Sequence, residues 1–65
     1  MKPVKGLRFA VKWHDGTLHE NVVTSVVKMN FGTWVRFVEV EKNGKLSRHR
    51  EHWRLDQFQE RAIGL

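Results

Sequence analysis

The sequence predicts a mainly β fold: a small, strongly bent antiparallel sheet, or a small barrel, of four to five strands with a short C-terminal helix. Three observations predict it. Apolar residues alternate with polar ones at Leu7, Phe9, Val11 and Trp13, the period of a half-buried strand. Asp15-Gly16 and Asn43-Gly44 each stand between strand-like runs, a strong short-range signal for a hairpin. Only from Leu55 onward do apolar residues take helical spacing, at Leu55, Phe58, Ala62 and Ile63.

Taken in order, the first strand spans about 7–14 and stops at Asp15-Gly16, where a two-residue loop asks both residues to accept positive φ. The second, about 17–29, carries Val22, Val23, Val26 and Val27, and β-branched side chains favour a pleated surface. Its alternation slips near Asn21, which predicts a bulge that lets the sheet curl. Asn30-Phe31-Gly32 makes the next turn. The third strand, about 33–42, has Val35 and Phe37 on one phase and Val38 and Val40 on the other, so a second bend is expected near Phe37. Asn43-Gly44 then turns the chain into a fourth strand over about 45–54, paired with the third. The helix is expected over about 56–63, with Asp56 as N-cap, Gln59 completing a capping box, and Gly64 closing the last turn. With no repeat, low-complexity segment or linker, residues 1–65 read as a single domain.

A chain of 65 residues can bury only a small core, and chains of this size commonly lean on a disulfide, a metal or a second subunit. Cysteine is absent, which removes disulfides and most structural zinc sites and leaves good packing or a homodimer. Lys+Arg number 12 against 7 Asp+Glu, a formal net charge of +5. That excess points to an anionic partner, nucleic acid first, although a cationic surface also serves solubility alone. No apolar stretch of the signal-peptide kind follows the basic start Met1-Lys2-Pro3-Val4-Lys5-Gly6. The longest apolar run, Phe9-Ala10-Val11, is far short of the about 20 residues that span a bilayer. A cytoplasmic protein without a membrane partner is the expectation.

Nothing in the chain looks like a phosphate-binding glycine loop, a dinucleotide turn, a nucleophile elbow or a cysteine nucleophile. Asp15, Glu39 and Glu41 read as turn and surface carboxylates, so a non-enzymatic protein without a cofactor is expected. His49 and His52 are the best metal candidates, but residues three apart on a strand point to opposite faces. No metal site is assigned, and solvent-facing histidines are the plainer reading.

The densest chemistry lies in Lys45-Leu46-Ser47-Arg48-His49-Arg50-Glu51-His52-Trp53-Arg54-Leu55. On a strand, Leu46, Arg48, Arg50, His52 and Arg54 share one face, and Ser47, His49, Glu51, Trp53 and Leu55 share the other. Arg48, Arg50 and Arg54 would then form a line of cations over roughly 20 Å, meeting phosphates through planar guanidinium forks. Arg36 on the paired strand and the turn lysines Lys42 and Lys45 widen this patch. Trp34 shares the phase of Arg36 and is a candidate base-stacking platform, with Phe31 at a turn tip as a second; Trp13 and Trp53 are assigned to the core. The competing reading of the arginine row is an edge strand that uses charge against sheet-to-sheet aggregation.

In size, element order and charge, the stretch from Leu7 to Ile63 resembles the small SH3-like and Sm-like barrels that bind nucleic acid, including the small chromatin proteins of crenarchaea. His49-Arg50-Glu51 ahead of a short helix, with Gly32-Thr33-Trp34-Val35-Arg36-Phe37, is similar to the strands of the carbon storage regulator family of RNA-binding translational repressors. The second likeness implies an RNA contact by Arg50 and an interlocked dimer. The expectation is therefore a small basic module that binds DNA or RNA, contacting phosphates through an arginine-rich sheet face. The alternative is an adaptor or inhibitor whose basic face docks on an acidic protein, since SH3-like barrels serve both roles.

Overall fold

A computed structural model describes residues 1–65. The elements follow in the order β1 (Arg8–Lys12), β2 (Leu18–Met29), β3 (Gly32–Val40), β4 (Leu46–Arg54), α1 (Leu55–Arg61) and β5 (Ile63–Gly64). All strands are antiparallel to their neighbours and form one sheet in the order β4-β3-β2-β1-β5. The sheet is open, with β4 and β5 as its edges and α1 joining one edge to the other along the chain.

Period-two alternation explains the core. Phe9 of β1, Val23 of β2, and Val35 and Phe37 of β3 are buried together with Phe58 of α1. The aromatic rings meet edge to face in a continuous chain: Phe58 to Phe9 at 4.9 Å, Phe9 to Phe37 at 5.2 Å, and Phe37 to Trp53 at 4.8 Å between centroids. Such pairs contribute roughly 0.5–1.5 kcal/mol each beyond the area they bury. Trp53 is half-buried against this cluster, as its phase requires.

Two irregularities bend the sheet. Val23 pairs with Phe37 while Ser25 pairs with Arg36, so Thr24 is an extra residue in β2. The bulge stands three positions beyond Asn21, where the alternation first slips. The second lies between the pairs Val38↔Arg50 and Val40↔Leu46. Glu39 alone therefore faces residues 47–49, and the excess length belongs to β4 rather than to β3 near Phe37. Ser47 Oγ accepts the His49 N–H at 3.0 Å within that bulge, satisfying a donor that the ladder has released.

Both Gly-containing hairpins are real, but neither has the two-residue loop. Trp13 and Thr17 are joined by Trp13 N–H to Thr17 O at 2.9 Å, leaving His14-Asp15-Gly16 as a three-residue loop. Glu41 N–H to Lys45 O at 2.8 Å does the same around Lys42-Asn43-Gly44. Gly16 and Gly44 have φ of 89° and 84°, while Asp15 and Asn43 stay at negative φ. A type I turn followed by one left-handed glycine needs only that single residue to be Gly. Asp15 and Asn43 act through their side chains instead, each accepting the backbone N–H two residues on, at 3.0 and 2.9 Å.

The longer loop also corrects the placement of Trp13. Strand β1 ends at Lys12, so Trp13 opens the turn; it is 46% exposed and lies stacked on His19 at 3.6 Å instead of filling the core. At the other terminus, the helix starts earlier than Asp56. Arg54 is the N-cap, and its N–H donates to Gln57 Oε1 at 3.2 Å. The expected box of Asp56 with Gln59 does not form. Asp56 sits in the first turn, where its Oδ1 accepts the Gln57 N–H at 2.9 Å and its charge faces the positive end of the helix. Ala62 is already extended, and Ile63 and Gly64 pair with Ala10 and Phe9 as β5. Ile63 therefore leaves the helix and stays 40% exposed.

Candidate nucleic-acid interface

The ladder between β3 and β4 assembles the basic face. Trp34 stands opposite Arg54, Arg36 opposite His52, and Val38 opposite Arg50. Directly opposed residues lie on the same face, so Arg36, Arg50, His52 and Arg54 project together, with Trp34 beside Arg54 at one end of the row. All four basic side chains are exposed. None makes an ion pair: the three in the protein are Arg8 with Glu20, His19 with Glu39, and His49 with Glu51. Arg50 to Arg54 spans roughly 13 Å of strand.

The remaining expected members fall elsewhere. Arg48 lies in the bulge of residues 47–49, outside the paired register, so the continuous line from Arg48 to Arg54 is broken before Arg50. Lys45 is exposed at the end of the β3–β4 loop. Lys42 borders a depression that it shares with Asp15, Glu20, Glu39 and Glu41, and so belongs to an acidic neighbourhood rather than to the arginine face.

Trp34 is half-buried, not free. The Arg54 guanidinium lies over its ring, 5.4 Å from the centroid, and His52 meets it edge-on at 5.2 Å. Phe31, 89% exposed at the β2–β3 turn, is the more open aromatic. A depression beside it is shared with Trp34, Arg54 and Asp56. An exposed guanidinium and an exposed aromatic ring thus adjoin at one end of the sheet.

The opposite face carries the reverse sign, and single-residue reading does not reveal it. Asp15, Thr17 and His19 form a connected chain: Thr17 Oγ donates to Asp15 Oδ1 at 2.6 Å, Thr17 Oγ meets His19 Nε2 at 2.8 Å, and His19 Nδ1 meets Glu39 Oε2 at 2.9 Å. His49 Nε2 meets Glu51 Oε1 at 2.6 Å. His49 and His52 do lie on opposite faces: one borders a cleft with Phe37 and Trp53, the other a depression with Trp34 and Arg36. The signal present in the sequence is spacing, since Asp15, Thr17 and His19, and then His49 and Glu51, alternate and so share a face; the Glu39 partner needs the β2–β3 register.

The hydrogen bonds from the Thr17 hydroxyl and backbone N–H hold the Asp15 carboxyl below its ordinary value. Because the folded value is depressed, the stabilisation from this contact is present above the unfolded value and disappears as pH falls through the folded one. Thr17→Val is therefore expected to move the Asp15 titration toward higher pH, read from its carboxyl carbon by NMR. An unchanged midpoint would show that the Thr17 hydroxyl is not the cause.

No family model matches the chain, and no curated protein or solved structure matches it. No helix is long and apolar enough to cross a membrane.

Proposed function

We propose that the protein is a small, basic, non-enzymatic module of the cytoplasm that binds nucleic acid through the arginine-bearing face of β3 and β4. The observation that carries this reading is the set Arg36, Arg50 and Arg54, exposed on one face and without a carboxylate partner. Unpaired cations on adjacent strands repel one another at some cost to folding. A polyanion removes that repulsion, and guanidinium groups donate to phosphate in pairs. An edge strand that only guards against aggregation needs charge on β4 alone; Arg36 on the inner strand β3 extends the patch beyond that need.

Binding is mainly electrostatic in this reading. With about 4–6 phosphates engaged on duplex DNA, log affinity falls against log salt with a slope of roughly −4 to −5. Fluorescence anisotropy with duplex DNA, single-stranded DNA and RNA over a salt series measures it. A slope near zero, or no binding to any of the three, would remove the reading and leave the same face as a docking surface for an acidic protein.

A further inference from the structure

We propose that the opposite face carries a second site, a receptor for the guanidinium group of an arginine side chain in a partner polypeptide. The site is a cleft of about 460 Å³ whose walls include Trp13, Phe37 and Trp53 and whose polar groups are Asn21, Glu39, Glu51 and the His49 that Glu51 holds. It lies on the other side of the sheet from the arginine face and does not depend on that face binding nucleic acid.

The register brings the polar groups together. Asn21 stands opposite Glu39 across β2 and β3, and Phe37 stands opposite Glu51 across β3 and β4. Glu39 is two residues from Phe37 on the same face, so Glu39 and Glu51 are diagonal neighbours, roughly 7–8 Å apart. Each gives one oxygen to a histidine and keeps the other without a hydrogen bond. Asn21 is only 6% exposed. Its Nδ2 donates to His19 O at 3.1 Å, while its Oδ1 has no hydrogen bond. No fully enclosed side-chain nitrogen or oxygen in the protein lacks a partner, so this oxygen is not sealed from solvent, and Asn21 borders the cleft. Three residues with a free acceptor, two of them carboxylates, thus line one cleft with aromatic walls.

That combination selects a planar cation rich in donors. Guanidinium carries five N–H groups in one plane, accepts nothing, and stacks on aromatic faces. One face of Trp13 is covered by His19 at 3.6 Å, and the ring remains 46% exposed for a second layer. Phosphate is repelled by Glu39 and Glu51, and a lysine ammonium has no flat face to lay on an indole. The protein's own Arg61 already uses this mode, its guanidinium 5.9 Å from the Trp53 centroid in an adjoining depression. An arginine side chain also brings an apolar stem, which Val11 and Phe37 at the cleft can cover.

The test is an NMR titration of the Trp13 and Trp53 indole N–H signals with N-acetyl-arginine methylamide, its uncharged citrulline counterpart and its lysine counterpart. The arginine compound is expected to give saturable shifts with at least about tenfold tighter binding than either of the others. Glu39→Gln with Glu51→Gln should weaken it by at least about tenfold, whereas alanine at Arg36, Arg50 and Arg54 should leave it unchanged. Equal binding of citrulline or lysine, or no saturable shift, overturns the proposal, and these ligand-side controls need no variant to fold. Indole shifts that depend on protein concentration alone would assign the cleft to the arginines of a second copy and overturn a separate partner. Failure of nucleic-acid binding in the salt series leaves this site standing.

Discussion

Phe58→Ala is expected to leave the chain largely unfolded at 25 °C, without a cooperative thermal transition. Phe58 is fully buried and is the one buried residue of α1. Its ring packs on Phe9 at 4.9 Å, and Phe9 packs in turn on Phe37, so its removal opens the aromatic chain at one end. Phe→Ala in a core costs about 3–5 kcal/mol. A domain of this size rarely has more than roughly 3–5 kcal/mol in total, so the destabilisation is comparable to the whole stability. The seven-residue helix has no independent means of persisting, because isolated helices below roughly 12–15 residues are marginal in water. Strand β5 fails with it, since its two residues reach β1 only by way of α1. Urea titration followed by tryptophan fluorescence measures the effect. Phe31→Ala is the control: 89% exposed, it should change stability by no more than about 0.5 kcal/mol. A Phe58→Ala variant with a full transition displaced by less than about 1 kcal/mol would mean that α1 does not close the core.

That core is legible in the sequence because alternation and burial have the same period. Phe9, Phe37 and Phe58 follow from the phases of Leu7 to Val11, of Val35 and Phe37, and from the helical spacing after Leu55. The same rule fails at Trp13, which has the right phase but stands one residue past the end of β1. Where a strand ends depends on loop length, and a single left-handed glycine serves a three-residue loop as well as Gly in a two-residue one. Strand β5 carries no signal of its own, being two residues long and placed by the helix before it. The helix cap departs from expectation for a related reason: Asp56 is a good N-cap residue, but continuing β4 through Arg54 makes Arg54 the last extended residue, and Gln57 then stands at the third helical position. The arginine face is readable wherever β4 keeps its register, at Arg50, His52 and Arg54, and not at Arg48, where the excess residues of β4 have no counterpart in its hydrophobic pattern. The cleft is least legible, because His19 and Glu39 are 20 positions apart and meet only through the paired strands.

The triple variant Arg36→Ala, Arg50→Ala, Arg54→Ala is expected to lower nucleic-acid affinity about 10³-fold at low salt and to flatten the salt slope by roughly three. This magnitude rests on one phosphate per guanidinium, each charge-assisted hydrogen bond supplying about tenfold. The flattening follows because a phosphate that no guanidinium neutralises keeps its condensed counterions, and their release is what makes binding salt-dependent. Fold should survive: all three side chains are exposed and none makes an ion pair, and Arg54 caps α1 through its backbone N–H, which alanine retains. The one internal interaction removed is that of Arg54 over Trp34, worth about 0.5–1 kcal/mol at an exposed site. Single variants then separate the face from mere net charge. Lys42→Ala and Arg50→Ala each remove one positive charge, yet Lys42 stands among carboxylates while Arg50 stands in the row. If total charge governs binding, the two variants weaken it equally; if the β3–β4 face does, Arg50→Ala costs about tenfold and Lys42→Ala next to nothing. Arg48→Ala should fall between them, because residues 47–49 bulge away from the paired register and its charge lies near the row without being fixed in it. Anisotropy titrations of the three single variants at one salt concentration decide the order, and equal weakening by Lys42→Ala and Arg50→Ala would place the interface outside this face.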